Sequence, residues 1–183
     1  IDLYRLKYGE TELPWLQLHA AGSASRVVLS EIEAQYGFSR LVGNVTLLPK
    51  SGRISGNFSS PGIQLAEFGE GKAAGLVQIL NGTVSGTMKD PKGVADLQGG
   101  TIAYSGATLA GLSGRLFATN DLVRIANGKM TVNDSDQSGT MDFTGQYRLQ
   151  AKAGDVQASW ENLPLRPLAQ FDERFAIQGQ STG

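Results

Sequence analysis

Apolar and polar side chains alternate along most of this chain. The longest regular stretch is "SGTMDFTGQYRLQAK" (138–152). It places Met141, Phe143, Gly145, Tyr147, Leu149 and Ala151 at every second position, with Thr140, Asp142, Thr144, Gln146, Arg148 and Gln150 between them. Successive side chains of an extended chain point to opposite faces, so the pattern predicts a strand with one apolar and one polar side. An unbroken alternation from Thr140 to Ala151 would span roughly 40 Å at about 3.3 Å per residue, well beyond the ordinary strand of five or six residues.

The same pattern recurs. Leu16, Leu18 and Ala20 share a face in "WLQLHAA", as do Leu41, Gly43, Val45 and Leu47 in "LVGNVTL". "GLVQIL" (75–80) is apolar on both sides and reads as a covered central strand that "NGTVSGTM" (81–88) continues. "GTIAYSG", "GRLFA", "DLVRIAN", "GKMTV", "DVQASW" and "RFAIQG" (174–179) follow. Turn signals separate them: Pro61-Gly62, Pro91 to Gly93, Asn127-Gly128 and the cluster from Asp134 to Gly139. Helix is scarce. A short helix within 23–38 is one reading, because Val28, Ile32 and Tyr36 recur at spacing four, Ser25 can cap and Gly37 can stop it. "RVVL" in that segment reads equally well as a strand. "LPLRPLAQF" (163–171) has room for one helical turn. The whole is expected to be all-β, a long antiparallel meander in one unit, 1–183. Both ends look like cuts through a longer repetitive protein.

Composition narrows the chemistry. Glycine occurs 24 times and is spread among the alternating segments, as short strands and tight turns require. Sixteen basic and seventeen acidic residues leave a net charge of −1, which removes the electrostatic footprint of a nucleic-acid binder. No run of Lys or Arg favours an anionic membrane surface. The absence of cysteine excludes disulfides, thiolate metal sites and cysteine nucleophiles. No stretch approaches the ~20 apolar residues of a membrane span. His19, the only histidine, lies on the polar side of its strand without a nucleophile elbow nearby, and reads as a solvated strand residue. Asp134, Asp136, Ser138 and Gly139 match the start of a calcium loop. Position twelve, however, is Gly145 rather than Glu, so a hairpin loop is the better reading. Glu31 and Glu33 make no acid/base pair by spacing alone, and Glu67, Glu70, Asp172 and Glu173 sit in polar connections. No catalytic residue, metal site or cofactor is expected, and the chain does not read as an enzyme.

The apolar stripe remains. It would be buried in a closed β-sandwich or β-helix of structural or adhesive role, or left facing a groove. The length of the stripe and the scattered aromatics favour an open half-pipe with a hydrophobic interior. Met141, Phe143, Tyr147 and Leu149 are the expected lining, with Val156, Trp160, Met130, Val132 and Ile125 beside them, then Phe175 and Ile177.

From Leu80 onward the chain resembles the AsmA-like proteins, in particular the TamB branch. The resemblance is carried by "LNGTVSGTMKDPKG", "GGTIAYSGATLAGLSGRLFATNDLVRIANGKMTVND", "SGTMDFTGQYRL" and "ENLPLRPLAQF…FAIQGQSTG". It implies a taco-shaped groove in a long periplasmic protein anchored in the inner membrane by an N-terminal helix. Such a groove carries phospholipid acyl chains toward the outer membrane, with adjacent repeats of the same chain continuing it. The branch also implies an outer-membrane barrel-assembly protein as partner, with which it chaperones the insertion of outer-membrane proteins. Detergent is expected to occupy the same groove. The type II secretion N protein has a similar texture and would share the fold with other partners. No catalytic residues come with the resemblance.

Overall fold

The computed structural model describes residues 1–8, 11–67, 73–104, 107–134 and 137–162. The described chain is eleven strands: β1 (Asp2–Tyr8), β2 (Thr11–Ser23), β3 (Arg26–Tyr36), β4 (Ser39–Leu48), β5 (Arg53–Gln64), β6 (Ala73–Thr87), β7 (Pro91–Tyr104), β8 (Ala107–Ala118), β9 (Leu122–Asp134), β10 (Gln137–Arg148) and β11 (Ala153–Glu161). One 3-10 turn, Leu65–Glu67, follows β5. The strands form a single antiparallel sheet in sequence order, with β1 and β11 at its edges, so it is a meander not closed into a barrel. The described strands all belong to this one hydrogen-bonded sheet.

The helix reading of 23–38 is overturned, because Arg26–Tyr36 is strand β3. The physical reason is a β-bulge. Register slips between Leu29 and Ile32, and Glu31 there has φ 51°. One face of β3 therefore carries Val27, Leu29, Ile32, Ala34 and Tyr36 while Val28 lies on the other, so the step of four from Val28 to Ile32 crosses the bulge and is not a helical turn. Asn44 holds the bulge, its side-chain oxygen accepting the Glu31 N–H at 3.1 Å.

Most strands are bulged, and two are bulged alike. "LVQILNG" (76–82) in β6 and "LVRIANG" (122–128) in β9 share Leu-Val-x-Ile-x-Asn-Gly. In both, register slips by one residue between the Ile and the Gly. Asn127 takes φ 52° there, a conformation asparagine tolerates better than most residues. Each Gly then lies beneath an aromatic ring. A Cβ on Gly82 would stand 2.5 Å from Phe58, and one on Gly128 would stand 2.5 Å from Phe143. Glycine leaves the space these rings occupy on the neighbouring strand.

Register fixes which residues share a face. One row reads Ile32, Gly43, Phe58, Gly82, Ala95, Leu116, Ile125, Gly145, Val156, one residue from each of β3 to β11. The next reads Ala20, Leu29, Val45, Gly56, Val84, Gly93, Ala118, Val123, Tyr147, Gly154. Neither row contains a charged side chain, and the Tyr147 phenol is their one polar group. The opposite face carries Asn44, Asn57, Thr83, Arg124, Gln146 and Asp155 along one row, interrupted by Val94 and Phe117.

Candidate functional site

The apolar face changes character along its strands. Toward the ends of β6 to β9 that carry the 65–72 and 105–106 connections, it is packed. Val77, Ile102, Leu109 and Val132 form a buried cluster, flanked by Leu65, Leu97, Leu112, Met130, Met141 and Trp160. Val132 is fully buried. Toward the opposite ends the same face opens: Tyr147 is 45 % exposed and Val156 58 %.

The expected lining residues divide along this gradient. Met130 pairs with Met141 and Met141 with Trp160, while Phe143 pairs with Gly128 and Ala158, so these side chains share the apolar face. Ile125, Tyr147 and Val156 continue it. Val132 shares the face too, but is core rather than lining. Leu149 is a correction. β10 ends at Arg148, and Leu149 lies in the turn before β11, its N–H donating to the Asp121 carbonyl at 2.7 Å. The alternation continues past the strand because the turn happens to keep the parity of residue types. Phe175 and Ile177 lie outside the described residues, as do residues 163–171.

At the packed end three polar residues hold the strands together; of these the sequence marked Glu67 alone, as part of a polar connection, and carried no signal for Ser39 or Ser60. Glu67, in the 3-10 turn, accepts hydrogen bonds from the Ser39 hydroxyl and the Phe38 N–H, tying the connection after β5 to the β3–β4 corner. These bonds, the Ser39 hydroxyl first, hold its carboxyl below the ordinary value. Its approach requires Gly37, since a Cβ there would collide with the carboxylate. Buried Ser39 also accepts the Gln64 N–H at 2.8 Å. Buried Ser60 donates to the Arg40 carbonyl at 2.5 Å and accepts the Gly62 N–H at 3.2 Å. Both hydroxyls are satisfied, as buried polar groups should be.

The polar face holds the remaining candidates. His19 faces Glu31 at 2.6 Å, Arg40 faces Glu33 at 2.6 Å, and Lys129 faces Asp142 at 3.4 Å. Ser138 of the calcium-like stretch donates to Asn133 at 2.9 Å, and residues 135–136 lie outside the described set. A shallow depression of about 590 Å³ is lined by Glu33, Asn44, Asn57, Asn81 and Thr83, where Asn44 donates to Asn57 at 3.3 Å. Arg115 and Arg124 both approach the Phe117 ring, at 6.0 and 5.7 Å. Comparison with family models, with curated proteins and with solved structures finds no match to the chain.

Proposed function

We propose that the apolar face is the wall of an open, taco-like hydrophobic groove that carries phospholipid acyl chains, without catalysis. The observation that supports this reading is the pair of apolar rows crossing nine or ten strands without a charged side chain. An acyl chain lying along such rows exchanges water for hydrocarbon at about 0.8 kcal/mol per methylene. With no charge along these rows and only the Tyr147 phenol as a polar group, little favours one stopping point over another, so a lipid can slide. Val156, Tyr147, Phe143 and Ile125 line the open part, while the cluster around Val132 supports it. On this reading the chain is a segment of an AsmA-like, TamB-type protein. It would be anchored in the inner membrane, cross the periplasm and act beside an outer-membrane barrel-assembly protein.

Native mass spectrometry after detergent-free purification tests the reading. The chain should carry phospholipid adducts, and Phe143→Asp should abolish them while Asp142→Ala, on the opposite face, keeps them. An adduct-free wild type, or equal loss in both variants, would refute the groove.

A further inference from the structure

Four hairpin turns on one edge of the sheet are tied to one another, although a hundred residues separate the first from the last. They join β4 to β5 (49–52), β6 to β7 (88–90), β8 to β9 (119–121) and β10 to β11 (149–152). The Met88 N–H donates to the Gly52 carbonyl at 2.9 Å. The Asn120 side-chain amide donates to the Lys89 carbonyl at 2.6 Å. The Leu149 N–H donates to the Asp121 carbonyl at 2.7 Å, and the Gln150 N–H to the Asp121 carboxylate at 3.0 Å. These bonds make the turns one ledge. It spans six strand spacings, roughly 30 Å at about 4.8 Å each.

Turns that only reverse the chain are polar. These carry apolar tips: Met88 is 65 % exposed, Leu149 46 % and Leu48 38 %. Beside them stand Lys50, Arg53, Lys89, Lys92, Arg148 and Lys152, all exposed. Two acids oppose these six bases. Asp90 lies 3.8 Å from Lys92, and Asp121 is engaged by the Gln150 N–H. The sequence shows no basic run, yet the meander brings every second turn to the same edge and builds a basic strip. The absence of a Lys or Arg run in the sequence therefore does not describe the charge this edge gathers.

We propose that this ledge docks on the interface of an anionic phospholipid bilayer. Met88, Leu149 and Leu48 would enter the boundary between headgroups and acyl chains, while the lysines and arginines stay level with the phosphates. A protein partner fits less well. Protein interfaces are depleted in lysine and centre on a contiguous apolar patch, whereas here apolar tips and lysines alternate along a line. The bonds between turns order the ledge before it binds, so little loop entropy is lost on docking. None of the groove residues takes part.

Flotation of the 183-residue chain with vesicles tests this, using phosphatidylcholine alone and an equal mixture with phosphatidylglycerol. The chain should float with the mixed vesicles only, and less as salt rises. Each basic residue near such a surface contributes about fivefold. The combined Lys50→Glu, Lys89→Glu and Lys152→Glu variant should therefore lower partitioning by at least about 100-fold. The Lys→Gln version of the same triple keeps the test open if charge reversal prevents folding. Leu48→Ser, Met88→Ser and Leu149→Ser together should weaken binding at least about tenfold. Lys129→Glu, in the middle of the polar face, should change nothing. Phe143→Asp should also leave flotation intact, so this proposal and the groove fail separately. The proposal is overturned by binding to neutral vesicles as strong as to anionic ones. It is overturned equally by binding that survives the lysine triple, or by equal affinity for soluble polyglutamate that ignores the Leu and Met changes.

Discussion

Val132→Ala and Val156→Ala should have very different effects, although both residues sit on the apolar face. Val132 has no exposed surface, and Val156 is 58 % exposed. Removing two buried carbons at position 132 loses about 1.6 kcal/mol of transfer free energy at about 0.8 kcal/mol per methylene. A void the size of two methyl groups among Ile102, Leu109, Met130 and Met141 adds roughly 1 kcal/mol at about 24 cal/mol per Å³. The expected loss is about 2 to 3 kcal/mol for Val132→Ala. At position 156 more than half the transfer term is already forfeited to water and no void forms, so the loss should stay below about 1 kcal/mol. Urea unfolding followed by tryptophan fluorescence measures both, with Trp160 reporting from beside the cluster. Equal losses in the two variants would refute the division of the face into a packed and an open part.

Two further outcomes follow from the packed end. Ser60→Ala leaves the Arg40 carbonyl and the Gly62 N–H without their buried partner, and should cost about 1–3 kcal/mol in the same urea assay; an unchanged midpoint would show that both groups find other partners. Glu67 has its pKa depressed from 4.5 in the folded chain. Its contribution is thus fully present above that value and is lost as pH falls through the folded pKa. The melting-temperature gap between wild type and Glu67→Gln should therefore be widest near neutrality and close in acid, and a gap independent of pH would refute the role of its charge.

The strands were legible because the alternation of period two dominates the sequence, and the glycine-started segments fall within them. Their true lengths were not. "GLVQIL" and "NGTVSGTM" belong to one strand, β6, which absorbs Gly82 and Gly86 rather than starting anew at them. Bulges were the least legible feature. A bulge changes parity, so the step of four from Val28 to Ile32, which reads as helical spacing, runs from one face of β3 to the other. The signal was present in the doubled Leu-Val-x-Ile-x-Asn-Gly, where alternation breaks between the Ile and the Gly in both copies. The packed cluster drew on Leu65, Leu97, Leu109 and Leu112, which lie on two strands and a 3-10 turn. Only the register brings them to one place. The basic ledge was invisible for the same reason: its members are neighbours in the sheet and strangers in the sequence.

Since every strand bonds only to the strands before and after it in the chain, the sheet has no closure condition to satisfy. Removing one whole hairpin rejoins two antiparallel partners, shortens the sheet by about 10 Å, and leaves each remaining turn on its own edge. Removing a single strand instead would swap the edges of everything beyond it, sending the turns that follow to the opposite rim. Length in such a molecule is a quantity that selection can adjust in paired increments without reinventing the cross-section.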